Sequence, residues 1–201
     1  GEEAALRSGF QVQTTLDLTA QQTVKNSIDK NIKYIQNNGG SNAAAIVIDP
    51  KSGEVRAYVG SADWNNETWG KVDMVATKRQ PGSSFKPIYY AAALADGVIT
   101  PSTMWKDELT NFGGNYTPYN ADQKWHGDVS TRSAIAMSLN IPSVKIMQQY
   151  GIEKSLTAAK NLGITALAAA NNYGLSLALG AAEIPLSQMA NAYAAFANQG
   201  E

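Results

Sequence analysis

Ser83-Ser84-Phe85-Lys86 sets a serine hydroxyl and a lysine amine three residues apart, within the run Arg79-Gln80-Pro81-Gly82-Ser83-Ser84-Phe85-Lys86-Pro87. At a helix start, residues i and i+3 share a face, so Lys86 reaches the Ser83 hydroxyl. A serine hydroxyl is a poor nucleophile until a base takes its proton. A lysine whose pKa is lowered by burial can be that base. The helix start adds free N–H groups and the positive end of the helix dipole, both suited to a developing oxyanion. The bare tetrapeptide also arises by chance, with the serine merely capping a helix. The Pro-Gly before it and the Pro after it argue against that reading here, because Pro87 fits a first helical turn and Gly82 permits close backbone approach.

A second element follows in the chain. Ser138-Leu139-Asn140 precedes the Ile141-Pro142 break, where a loop tip between helices presents a hydroxyl and an amide together. The hydroxyl can relay a proton, and the amide can bind a peptide carbonyl. Taken alone the tripeptide reads as turn or capping chemistry. Placed after Ser83 and Lys86, it completes a constellation for acyl transfer.

The elements that must position these groups follow from the hydrophobic pattern. Residues 1–18 read as a linker, with Gln11 to Leu16 as a short alternating strand. Thr19 opens a helix, Gln22 completes a capping box, and Val24, Ile28, Ile32 and Ile35 form its apolar stripe. Ala43 to Asp49 and Glu54 to Gly60 form a hairpin about the turn Pro50-Lys51-Ser52-Gly53, with Val55, Ala57 and Val59 on one face. Residues 61–80 read as a loop, Ser83 to Asp96 as a helix stopped by Gly97, and residues 100–128 as a second, long loop. Helices are predicted over Thr131–Met137, Pro142–Tyr150, Glu153–Leu162 and Pro185–Asn198. The domain therefore spans residues 19–201.

Composition excludes several other classes. The 201 residues are 44% hydrophobic, enough for one domain with a sizeable core, and the formal net charge is −1 with no basic block, so nothing calls for nucleic acid or an anionic membrane. Cysteine is absent and His126 is the only histidine, which rules out thiolate and histidine-cluster metal sites. No cofactor and no metal are expected. The longest apolar stretch, Ala43 to Ile48, is far shorter than the roughly 18 residues of a membrane span. His126 is read as a structural hydrogen-bonder, and Trp64, Trp69 and Trp105 as loop packing. Asp49, Asp73 and Glu183 have no catalytic partner in the sequence.

With these elements in place, the chain resembles the transpeptidase domain of class A penicillin-binding proteins, the bifunctional cell-wall synthases. The resemblance runs through Val12 to Asp17, Val47 to Val55, Arg79 to Pro87, Pro118-Tyr119-Asn120, Ser138 to Pro142, Leu175 to Gly180 and Met189 to Gly200. Serine β-lactamases share the Ser-x-x-Lys element but not these flanks. The resemblance implies an α+β penicillin-binding fold, a helical subdomain beside an antiparallel sheet, with the active serine between them. It implies that Ser83 attacks the D-Ala-D-Ala carbonyl of a peptidoglycan stem peptide, with Lys86 as general base and Ser138 as proton relay. Asn140 and Ser84 would bind substrate, and β-lactams would acylate the same serine. It further implies an extracytoplasmic location, through an anchor in the parent protein.

One departure is expected to matter. The family's Lys-Thr/Ser-Gly motif, on a sheet strand after Ser-x-Asn, does not occur in these residues, and Lys51-Ser52-Gly53 is a hairpin turn rather than its equivalent. The domain is therefore expected to lack its C-terminal strands, which a companion segment or chain could supply. Two rival readings remain. One is a D,D-carboxypeptidase or β-lactamase, which needs a deacylating water that neither Glu153 nor Glu183 convincingly recruits. The other is an inert or purely β-lactam-binding fragment.

Overall fold

A computed structural model describes residues 8–201; the first seven residues of the linker lie outside the described residues. Helix α1 (Leu18–Asn37) leads into the hairpin β1 (Ala45–Ile48) and β2 (Val55–Val59). The helix starts earlier than the capping-box reading places it. The Asp17 carboxylate accepts from the N–H groups of Thr19 and Ala20, at 2.8 and 2.9 Å, and so caps the first turn. Gln22 instead pairs with Asn26. The expected strand at Gln11 to Leu16 does not form. Phe10 and Val12 stay exposed, so no apolar face holds the segment to a sheet. It runs beside β2 through single bonds, Thr15 Oγ1 to the Val55 carbonyl and the Asp17 N–H to the Arg56 carbonyl.

The hairpin is antiparallel, with Ala45 opposite Val59, and its turn holds Lys51-Ser52-Gly53 as read from the sequence. Ala57 and Val59 are buried, and Ile28 of α1 packs with Val59 and Ala62, flanked by Val24, Ile32 and Trp69. Trp64 stays on the surface, with Lys71 Nζ 3.7 Å over its ring.

Two short sheets went unread in the sequence. β3 (Lys78–Arg79) pairs with β6 (Ile184–Pro185), tying the run before Ser83 to a distant segment. β4 (Met104–Asp107) pairs with β5 (Gly127–Ser130), so the loop predicted over residues 100–128 is a hairpin with a long connection. Met104 and Lys106 are exposed while Trp105 and Asp107 are buried, a regular strand alternation. Its signal was hidden because one of the two inward positions is an acid. Trp105 is core, with its indole N–H donating to Thr131 Oγ1 at 2.9 Å, rather than loop packing.

The main core is built around α2 (Lys86–Ala95). Ile88, Tyr89 and Ala93 are fully buried, and Tyr90 nearly so, as befits a helix apolar on most of its circumference. Around it pack α3 (Thr131–Ala136), capped by Ser130 Oγ, α4 (Asn140–Tyr150), α5 (Ile152–Asn161) and α6 (Leu186–Ala197). α4 begins at Asn140, ahead of the predicted Pro142, which lies in the first turn where its missing N–H costs nothing. α6 also lies against β1, and α1 against β2, so the hairpin joins both helical groups.

Candidate active site

Ser83 does not begin an α-helix directly. Residues Gly82–Phe85 form a 3₁₀ turn, and the α-helix takes over at Lys86, whose N–H donates to the Ser83 carbonyl. A 3₁₀ turn has three residues per revolution, so the positions of Ser83 and Lys86 fall on one face, although the Lys86 amine makes its hydrogen bonds to Ser138, Leu139 and Asn140 and not to the Ser83 hydroxyl. Gly82 has a φ of +58°, a left-handed conformation that costs glycine little. Above it sits a second 3₁₀ turn, Leu175–Leu179, ending in Gly180 at φ +74°. A Cβ on Gly180 would overlap the Gly82 carbonyl, so the two glycines are in direct backbone contact. Tyr89 clamps the arrangement from below, its hydroxyl within reach of the Ser143 and Ala178 carbonyls at 3.1 and 3.2 Å.

Lys86 is 1% exposed yet charged groups do not surround it. Its Nζ lies 2.7 Å from the Ser138 carbonyl, 2.8 Å from Asn140 Oδ1 and 3.2 Å from Ser138 Oγ, with the Leu139 carbonyl at 3.4 Å. These acceptors suit the three N–H bonds of an ammonium. Burial of the amine nonetheless pulls its pKa down from 10.5 to about 8. Ser138 adopts φ +54°, uncommon for a residue with a side chain, and thereby turns both its carbonyl and its hydroxyl onto one amine.

Three of the sequence-predicted residues, Lys86, Ser138 and Asn140, are thus joined by hydrogen bonds across 52 to 54 residues of chain. Ser83 stands in the same turn as Lys86, exposed, and its hydroxyl has no hydrogen-bond partner among the described residues. Ser84 is exposed beside it. Its hydroxyl donates back to the Pro81 carbonyl at 2.7 Å, and its own carbonyl accepts from the Tyr193 hydroxyl at 2.8 Å. A cavity of about 720 Å³ lies elsewhere, between α2, α5 and α6, and includes none of these residues.

Sequence reasoning missed the groups behind Asn140. The amide of Asn140 donates to the Tyr119 carbonyl at 2.7 Å, and its backbone N–H donates to Asn120 Oδ1 at 2.8 Å. Asn120 is 1% exposed and rests on the fully buried Asp107. The one legible signal was Pro118-Tyr119-Asn120, which belongs to the resemblance but carries no chemistry by itself. His126 is the structural hydrogen-bonder expected of it, with Nδ1 2.7 Å from Asp107 Oδ2 and Nε2 3.1 Å from Asp122 Oδ2. The Asp107 contact, then the two neighbouring charges, raise its pKa above 6.5.

A serine hydroxyl without a partner, on the tight turn that leads into a buried lysine enclosed by a Ser-x-Asn loop, thus stands on an α+β fold. The chain belongs to the penicillin-binding protein transpeptidase domain family, whose model matches residues 43–201. Penicillin-binding protein 1C of Escherichia coli (strain K12) is 40% identical over 165 residues, covering 80% of this chain and 21% of that protein. Penicillin-binding protein 1F of Bacillus subtilis (strain 168) is 33% identical over 201 residues, covering 98% of this chain and 27% of that protein. The structure of PonA1 from Mycobacterium tuberculosis in complex with penicillin V superposes with a TM-score of 0.79 at 28% identity, over 98% of this chain and 54% of that one. The chain therefore spans between a fifth and just over a quarter of these curated relatives, and about half of the PonA1 structure. Among the described residues no helix is long and apolar enough to cross a membrane.

Proposed function

We propose that the chain carries the acylating half-site of a serine D,D-transpeptidase that cross-links peptidoglycan stem peptides. The observation that carries this reading is the buried Lys86 amine, pKa about 8, held by Ser138 and Asn140 and following directly on the turn that carries an unpartnered Ser83 hydroxyl. At neutral pH roughly a tenth of the molecules hold Lys86 as the free amine. In that state Nζ has a lone pair to take the Ser83 proton as Oγ attacks the D-Ala-D-Ala carbonyl carbon. The proton then passes through the Ser138 hydroxyl to the nitrogen of the departing D-alanine, and the peptide C–N bond breaks. The amine of a second strand attacks the acyl-enzyme, returns a proton to Ser83, and leaves a new amide cross-link. A β-lactam follows the same first step, with its ring C–N bond as the one broken.

Asn140 Nδ2 donates one N–H to Tyr119 and keeps the other for a substrate carbonyl. Ser84 binds substrate beside the nucleophile once its hydroxyl leaves the Pro81 carbonyl. The likeness to a protein solved with penicillin V supports β-lactam acylation. An extracytoplasmic, membrane-anchored setting follows if the parent resembles its relatives, since its substrate lies outside the membrane. The test is labelling of the native full-length polypeptide by a fluorescent penicillin. Wild type and Ser84→Ala should label, and Ser83→Ala should not. Labelling that survives Ser83→Ala refutes the assignment.

A further inference from the structure

Asp107 belongs to no step above, yet it is a wholly buried carboxyl group with four hydrogen-bond contacts. Two come from Asn120 Nδ2 at 3.0 and 2.8 Å, and two from His126, through its backbone N–H at 3.0 Å and Nδ1 at 2.7 Å. Asn120 Nδ2 and the His126 backbone N–H can only donate, and His126 Nδ1 donates in the tautomer that carries its proton, so these three groups make the carboxyl an acceptor. Burying a polar group this deeply is costly unless its hydrogen bonds are complete, and here they are.

The arrangement fixes Asn120 absolutely in orientation. Its NH₂ faces two acceptors, the Asp107 carboxyl and the Lys124 carbonyl at 2.8 Å, so its Oδ1 must face away from them. There Oδ1 receives the Asn140 N–H at 2.8 Å. That N–H is the first of α4 and has no partner within the helix. Leu139, the residue before it, offers no capping side chain. Asn120 thus caps α4 from 20 residues upstream. The next residue back, Tyr119, supplies the carbonyl that holds the Asn140 amide.

We propose that Asp107 is a positioning residue for the acylation site: through Asn120 and the Tyr119 carbonyl it fixes the start of α4, and with it Asn140 and the Ser138 loop around Lys86. Orientation of this kind is worth catalysis, since a displacement of about 1 Å at a reacting group costs on the order of 100-fold in rate. The assignment rests on Ser83 and Lys86 acting as proposed above.

The experiment is acylation of the full-length polypeptide by a β-lactam, followed rapidly enough to separate the acylation rate constant from the initial binding constant. Variants are Asp107→Ala, Asn120→Ala, His126→Ala and His126→Asn, with Ser83→Ala alongside and rates normalised to the fraction that finally labels. Asp107→Ala and Asn120→Ala should lower the rate constant about 10- to 100-fold in the folded fraction. Asn140 Oδ1 then no longer stabilises the Lys86 ammonium, so the pH midpoint of acylation should move lower. His126→Ala should lose several-fold, and His126→Asn, whose Nδ2 can occupy the place of Nδ1, should recover most of it. If Asp107→Ala does not fold, Asn120→Ala and the His126 pair decide the matter. Lower Tm with an unchanged rate constant and pH midpoint would make the network merely structural and overturn the proposal. Labelling retained in Ser83→Ala would instead overturn the site assignment itself.

Discussion

If Lys86 is the general base, acylation must follow the titration of a single buried amine, and the structure sets where. With a pKa of about 8, the free-amine fraction is roughly 1% at pH 6, about 10% at pH 7 and about 90% at pH 9. The acylation rate constant should therefore climb close to tenfold from pH 6 to 7, then flatten above pH 8.5, for a total rise of roughly 90-fold. His126, whose pKa the Asp107 contact raises above its usual value, lies behind Asp107 and does not contact Lys86, so the rise should survive in His126→Asn. The perturbation that isolates the amine is Lys86→Arg. A guanidinium keeps the charge but cannot give up its proton near neutrality. Its rate should fall by about 10² to 10⁴, and the pH dependence between 6 and 9 should vanish. The assay is stopped-flow acylation of the full-length polypeptide by a chromogenic β-lactam, with circular dichroism confirming that the fold persists. A flat profile in wild type, or a Lys86→Arg rate within threefold of wild type, would refute the general-base role.

The same burial has a thermodynamic signature. Lys86 has a folded-state pKa below its unfolded value, so between about 8 and 10.5 the unfolded chain binds the extra proton and stability rises with pH. Relative to Lys86→Met, which lacks the group, wild-type stability should gain about 2 kcal/mol from pH 8 to pH 10 in denaturant titrations; a constant difference would mean the amine is hydrated. Gly180→Ala should both destabilise the fold and depress acylation, because its Cβ overlaps the Gly82 backbone. Gly53→Ala, at nearly the same φ of +71° but with open space around it, should cost only about 1 kcal/mol of backbone strain and leave acylation intact. Equal effects of the two on acylation would remove the glycine contact from the site. Finally, residues 1–201 by themselves should acylate weakly, and a segment bearing a Lys-Thr/Ser-Gly strand, added in cis or in trans, should restore the rate by about 10²- to 10³-fold, the usual worth of one oxyanion donor. Penicillin labelling with and without that segment measures this, and equal rates would show that the 201 residues are sufficient.

Much of this protein was legible from local chemistry. Ser-x-x-Lys between Pro81-Gly82 and Pro87 needs only a tight turn to bring the two groups onto one face, and turn geometry is a property of neighbouring residues. The helices α2 to α6 were found for the same reason, through apolar spacing, Gly97 and Gly151, and Pro142. Errors arose where the deciding partner is distant in sequence. β3 consists of Lys78 and Arg79, two exposed polar residues that form a strand only because Ile184 and Pro185 lie beside them. β4 alternates correctly, but Asp107 occupies an inward position, and a buried acid makes sense only once Asn120 and His126 are seen to satisfy it. Sequence alone put Lys86 three residues after Ser83, at the junction of a tight turn and a helix. Tertiary structure decided that the amine is buried, that Ser138 and Asn140 surround it, and that its pKa falls to about 8. Desolvation depends on every atom packed around a charge, and the groups that accept from this amine belong to residues 52 to 54 positions away.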